Sequence, residues 1–135
     1  MLRILLVEDN RFVSWAMTQA LSSQGCVVHQ VFTARDAMDV FGRDPFDVIV
    51  LDYQLPDRDG LDLARSIREA RPGTRIFLVT ALARSDLRIE EGLIDGYFNK
   101  PVDLKDLYAS LARLAETGAE PAEDGKLGQK GSTLM

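Results

Sequence analysis

Short uninterrupted apolar runs alternate through most of this chain with stretches where apolar residues recur every three or four positions. Residues 2–7 form the first run and predict a buried strand. Asn10 is placed to cap a helix whose stripe is Val13, Ala16, Met17, Ala20 and Leu21. Gly25 ends that helix, and residues 26–32 predict a second strand. Thr33 caps a helix with Ala34, Ala37, Met38 and Phe41 inward, and Pro45 breaks the chain. Residues 47–52 predict a strand, largely β-branched and continuously apolar between Asp47 and Asp52, the mark of a strand covered on both faces. Residues 56–60 read as a loop, and Leu61, Leu63, Ala64, Ile67 and Ala70 mark a helix that stops before Pro72-Gly73. Residues 76–80 predict a buried strand and residues 97–99 a last short one. The stretch 84–93 has no decisive period, and a short helix is expected there. Asp103 caps a final helix with the stripe Leu104, Leu107, Tyr108, Leu111 and Leu114. From Gly118 onward the period disappears. The pattern therefore predicts one α/β domain over residues 1–117 and a flexible tail or linker over 118–135. Strands alternating with helices mean a doubly wound, five-stranded parallel sheet with helices on both faces.

Composition narrows the function classes. The formal net charge is −5, with 21 acidic against 16 basic residues, which argues against direct nucleic-acid binding by this segment, since phosphate neutralisation needs a basic face. No apolar run is long enough to cross a membrane, and the start lacks a secretory pattern. The single cysteine, Cys26, cannot form an internal disulfide. A reducing cytoplasm is the expected location.

In such sheets the functional site lies beyond the carboxyl ends of the strands. Glu8 and Asp9 follow the first strand, Asp52 ends the third, Thr80 ends the fourth, and Lys100 follows the fifth. Carboxylates gathered at one edge repel one another and invite a divalent cation such as Mg²⁺, which prefers oxygen ligands. A carboxylate beside that cation can attack phosphorus. Lys100 and the Thr80 hydroxyl would neutralise and hold the phosphoryl oxygens. Taken singly, each residue has a plainer reading: a solvated turn for Glu8 and Asp9, a cap for Asp52, a backbone-bonded hydroxyl for Thr80, an exposed ion pair for Lys100. Their joint placement favours chemistry.

The chain resembles the receiver domains of two-component response regulators. The residues that carry the resemblance are Val7-Glu8-Asp9-Asn10, the stretch from Leu51-Asp52 through Leu55-Pro56 to Asp59-Gly60, Val79-Thr80-Ala81, and Tyr97-Phe98-Asn99-Lys100-Pro101. Four motifs in order, each at a strand end, are far more specific than any one. The resemblance implies a flavodoxin-like strand order 2-1-3-4-5 and Asp52 as phosphoacceptor. It implies Mg²⁺, or Mn²⁺, held by Asp9, Asp52 and the Gln54 carbonyl, with Glu8 acting through water. Lys100 would contact the phosphoryl group, and Lys100-Pro101 would be a cis peptide. Thr80 and Tyr97 would switch, and the last helix, the last strand and the helix before it would read out the state. The implied partners are a sensor histidine kinase or a histidine phosphotransfer protein, and an output partner or C-terminal output domain. Dimerisation through the last helix is left open. In the family the positions of Gln54 and Leu82 tune dephosphorylation, and apolar Leu82 predicts slow hydrolysis. The span from Thr80 to Lys100 is shorter than usual in the family.

Two other function classes compete. One is a non-phosphorylated pseudo-receiver that serves as a docking module, which the intact acid set argues against. The other is an aspartyl-nucleophile phosphatase, which usually carries an acid where this chain has Gln54. Elsewhere the expectations are plain: His29 on the surface, Cys26 buried, Trp15 partly buried packing, Asp57, Arg58 and Asp59 loop solvation, and Gly60 relief of backbone strain.

Overall fold

The computed structural model describes residues 1–117, with side chains to Arg113. The segment 118–135 and the Leu114 side chain lie outside the described residues. Five strands form one parallel sheet: β1 (Arg3–Val7), β2 (Val27–Val31), β3 (Val48–Asp52), β4 (Arg75–Thr80) and β5 (Gly96–Asn99). Their spatial order is β2-β1-β3-β4-β5, the flavodoxin-like order. Four helices connect or follow them: α1 (Arg11–Ser22), α2 (Ala34–Arg43), α3 (Gly60–Ala70) and α4 (Leu104–Thr117).

The central strand explains the layering. All five residues of β3 are buried, so both of its faces need cover. On one side Ile49 and Leu51 meet Ala37 and Phe41 of α2 and Leu63, Ala64 and Ile67 of α3. On the other, Val48 and Val50 meet Met17 and Leu21 of α1 and Leu107 and Leu111 of α4. Burying each such Leu, Ile or Val stabilises by about 1.5–3 kcal/mol. In α2 it is Val40 that is buried beside Phe41, while Met38 packs only at the margin. β2 is an edge strand and leaves His29 exposed.

Helix starts follow from local chemistry. Asn10 Oδ1 accepts the Val13 N–H at 3.0 Å, and Thr33 Oγ1 accepts that of Asp36 at 3.0 Å. Asp103 Oδ1 accepts the N–H groups of Lys105 and Asp106. Asp59, expected only to solvate its loop, caps α3 by accepting the Asp62 N–H at 2.8 Å. Each such cap stabilises its helix by about 1 kcal/mol.

Two expectations are corrected. The helix foreseen within residues 84–93 is absent; a single 3₁₀ turn, Arg84–Asp86, stands in its place. The stretch lacks a continuous apolar stripe to bury, and only Leu93 at its end, followed by Ile94, is buried. Trp15 is 55% exposed rather than partly buried, and it stacks on Phe12, which is 73% exposed. Both project from the outer face of α1, while Met17 and Leu21 take the inner one.

Polar side chains hold the non-helical segment. The Arg68 guanidinium on α3 donates to the carbonyls of Pro72, Thr74 and Leu93 and to the Asp95 carboxylate. Asp95 Oδ2 also accepts the Ile76 N–H at 2.8 Å. Arg65 pairs with Glu90. At the segment's start, the Tyr97 hydroxyl donates to the Leu82 carbonyl.

Candidate functional site at the carboxyl edge of the sheet

Parallel register brings the ends of β1 and β3 side by side, with Val7 opposite Leu51. Glu8 and Asp52 follow directly from that pairing. One carboxylate oxygen from each of Glu8, Asp9 and Asp52 lies within 4.8 Å of the others. Glu8 and Asp52 are buried and Asp9 is exposed. This set of hard oxygen donors with one open side fits a divalent cation that keeps several waters. The cluster is therefore a candidate divalent-cation site.

Lys100 supplies the opposing charge. Its Nζ donates to Asp52 Oδ2 at 2.9 Å and pairs with Glu8 Oε1 at 2.8 Å. Burial pushes the Lys100 pKa down, but hydrogen bonds to the two carboxylates outweigh it and hold the ammonium above its ordinary value. Burial pushes the Glu8 carboxyl up, and Lys100 and the Asn10 N–H pull against it without cancelling. Glu8 thus pairs directly with Lys100. The Lys100–Pro101 peptide is cis, as the resemblance implied.

Thr80 is fully buried at the end of β4, and its Oγ1 accepts the Leu82 N–H at 3.2 Å. Tyr97 is half-buried, with its hydroxyl on the Leu82 carbonyl and Arg84 over its ring. Burial pushes the phenol above its ordinary pKa, so the hydroxyl remains a donor at neutral pH. Gln54 is exposed, and its N–H donates to Asp52 Oδ1 at 3.2 Å. Every residue expected at the site therefore lies at or beside this edge.

Four residues acquire roles that the sequence reading did not give them. Asn99 Nδ2 donates to the Leu82 carbonyl at 2.7 Å and to that of Thr80 at 3.2 Å. It ties β5 to the end of β4 next to Lys100, and only its adjacency to Lys100 hinted at this. Gly60 is required by close approach rather than by strain. A Cβ there would sit 2.2 Å from the Asp52 carbonyl oxygen and 2.8 Å from the Tyr53 Cα. Asp57 leaves its own loop to bond the start of α2 through both carboxylate oxygens. Arg58, also expected to be solvated, bonds Asp62 and Ser66.

Fold and site together define a doubly wound α/β domain with an acidic pocket at the carboxyl edge of its sheet. The chain belongs to the response regulator receiver domain family, whose family model matches residues 4–112. Among curated proteins it is 33% identical over 121 residues to the transcriptional regulatory protein TcrA of Mycobacterium tuberculosis, covering 88% of this chain and 48% of that one. It is 32% identical over 121 residues to the transcriptional regulatory protein CusR of Escherichia coli, covering 87% of this chain and 53% of CusR. The chain thus spans about half the length of these relatives. Among solved structures, the BeF3-activated DrrB receiver domain aligns with a TM-score of 0.78 at 31% identity, over 86% of this chain and 98% of that one. The response regulator TrrA of Thermotoga maritima, in complex with Mg²⁺ and BeF, aligns with a TM-score of 0.77 at 28% identity, over 84% and 99%. No described helix is long and apolar enough to cross a membrane.

Proposed function

We propose that this domain is phosphorylated on Asp52 in a Mg²⁺-dependent reaction and acts as a switch in a two-component phosphorelay. The observation that carries this reading is the Asp52 carboxylate itself. It sits at the end of the central strand, with Lys100 Nζ at 2.9 Å on one oxygen and the Glu8 and Asp9 carboxylates close by.

The donor would be a phosphohistidine on a sensor histidine kinase or a histidine phosphotransfer protein. An Asp52 oxygen forms the new bond to phosphorus, the P–N bond to the donor imidazole breaks, and its electron pair returns to that ring. Asp9, Asp52 and the Gln54 carbonyl would hold Mg²⁺, with Mn²⁺ as a substitute. The cation supplies neutralisation of the phosphoryl oxygens. Lys100 supplies a second positive contact. Thr80 would turn its hydroxyl toward the phosphoryl group, and Tyr97 would follow into the space behind. TrrA, crystallised with Mg²⁺ and a fluoroberyllate group, supports this assignment by analogy.

A phosphoryl group adds about −1.5 to −2 charges at neutral pH. That charge would bias the contacts around Leu82 and so the β4–β5 segment. Output would pass to a partner protein or to a C-terminal output domain beyond residue 117, in keeping with relatives of about twice the length. A cytoplasmic setting suits such a relay. Self-phosphorylation and its reversal are the whole of the expected catalysis.

Intact-mass spectrometry after incubation with acetyl phosphate tests the reading. A single phosphoryl adduct is expected in wild type with Mg²⁺, and none in EDTA or in Asp52→Asn. A folded wild type that takes no adduct in any condition would leave the docking-module reading. Sustained turnover of a phosphate ester would favour the hydrolase.

A further inference from the structure

Helix α2 is capped from two parts of the chain. Thr33, the residue before it, satisfies the Asp36 N–H. The first two helical N–H groups, of Ala34 and Arg35, donate instead to Asp57, at 2.9 Å to Oδ1 and 2.9 Å to Oδ2. A carboxylate meets two such donors at once and complements the positive end of the helix. Burial pushes the Asp57 carboxyl up, but these backbone hydrogen bonds and the Arg58 charge together outweigh it and lower its pKa.

Asp57 lies in the loop that leaves Asp52. The far end of that loop is fixed where the Gly60 N–H donates to the Tyr53 carbonyl at 2.6 Å and where Gln54 bridges Asp59. Its near end is fixed by the Gln54 N–H on Asp52 Oδ1. Between these points Arg58 and Asp59 tie the loop to α3, at Asp62 and Ser66, while the two Asp57 bonds are its described side-chain ties to α2. The Gln54 carbonyl belongs to the same loop. Mg²⁺ demands near-ideal octahedral geometry at about 2.0–2.1 Å, so a ligand on a loosely held loop binds poorly.

We propose that Asp57 is a positioning residue for the cation site: it clamps the loop bearing Gln54 to the start of α2, and thereby couples α2 to occupancy of the Asp52 pocket. The inference rests on the functional reading above and adds a residue to it. By linkage the coupling runs both ways. Mg²⁺ should slow exchange of the Ala34 and Arg35 amides as much as those amides favour Mg²⁺.

The test compares wild type, Asp57→Ala, Asp57→Asn and Thr33→Ala by calorimetric Mg²⁺ titration, thermal melting and amide hydrogen exchange. Thr33→Ala removes a cap from the same helix without touching the loop. It should lower the melting temperature and leave Mg²⁺ affinity unchanged. Asp57→Ala should weaken Mg²⁺ binding about tenfold, the scale expected when a group that orients a metal ligand is lost. It should also abolish the Mg²⁺-dependent protection at Ala34 and Arg35. Asp57→Asn keeps one acceptor oxygen and should fall between; if Asp57→Ala does not fold, this variant carries the comparison. Wild-type Mg²⁺ affinity in a folded Asp57 variant would reduce the residue to a helix cap and overturn the proposal. A wild type that binds no Mg²⁺ would overturn the functional reading itself, and the clamp with it.

Discussion

The acid pocket and the segment between β4 and β5 lie beside each other at the carboxyl edge, yet their positions come from different sources. Glu8, Asp52 and Thr80 are buried and follow directly from paired strands. Their places are set by backbone hydrogen bonds and by the two apolar layers beneath. Residues 82–95 have no strand partner and no helix longer than one 3₁₀ turn. The far end of this segment is seated by Leu93 and Ile94 in the core and by the Asp95 N–H on the Ile76 carbonyl; the rest hangs mainly from side chains on other elements, Arg65 and Arg68 on α3 and Tyr97 and Asn99 on β5. A group fixed by the sheet moves only if the sheet does. A segment held by a few hydrogen bonds, each with a net worth of about 0.5–1.5 kcal/mol, can change place when one new charge appears nearby. The pocket is thus suited to chemistry and the segment to signalling. With no α-helix there, α3, through Arg65 and Arg68, helps hold the segment beside β5.

The largest expected effect breaks the rigid side. At Gly60 a new Cβ would meet only backbone atoms, the Asp52 carbonyl oxygen at 2.2 Å among them. No flexible side chain can yield, so either the start of α3 or the end of β3 must shift. Gly60→Ala should cost about 1–3 kcal/mol or more, by the scale of overpacked cores. Since the contact falls on the Asp52 carbonyl, adduct formation with acetyl phosphate should fall with it. Urea unfolding and the mass assay together check this. A variant of wild-type stability would mean the close approach is relieved locally.

Cutting Arg68 should loosen the other side and spare the first. Its guanidinium meets three carbonyls and the Asp95 carboxylate, whose side chain is 7% exposed against 23% for Arg68. Arg68→Met keeps much of the stem and removes every donor. Bonds to charged groups are worth about 1.5–3 kcal/mol, and partial exposure of Arg68 lowers that, so a loss of about 2 kcal/mol is expected. Amide exchange should rise across residues 82–95, while Mg²⁺ affinity stays at the wild-type level. An equal loss of Mg²⁺ binding would show that the two regions are one unit.

The same contrast explains what was legible in the sequence. β3 reads directly because a strand covered on both faces is an unbroken apolar run. The pocket reads because each of its polar residues falls immediately after such a run. Residues 82–95 defeat this reasoning, since what places Leu93 is the Arg68 side chain bonding its carbonyl from α3. No periodicity encodes a bond from a side chain to a distant backbone group. Asp57 and Gly60 escaped for a related reason: the loop motif showed a turn, but the partner on α2 and the neighbouring carbonyl appear only when the chain is folded. Trp15 shows the converse case. Large apolar side chains are buried by default in such readings, and a helix stripe at Met17 and Leu21 leaves Trp15 facing outward.

The smallest change probes the hinge where the two regions meet. The Leu82 carbonyl accepts from both Tyr97 and Asn99, and the Leu82 N–H donates to Thr80 Oγ1. One residue thus links the pocket's hydroxyl to the segment's anchor. Tyr97→Phe removes one of the two donors to that carbonyl and leaves the ring packed. Asn99 still satisfies the oxygen, so the cost in stability should stay near the lower end of about 0.5–1.5 kcal/mol. Adduct formation should continue, because no pocket carboxylate or Lys100 bonds to Tyr97. Exchange at Leu82 and the residues after it should nevertheless rise in the unphosphorylated protein. The further rise on phosphorylation should shrink, since the contact to be released is already gone. Equal phosphorylation-dependent change in Tyr97→Phe and wild type would place the release elsewhere, with Asn99 as the next contact to cut.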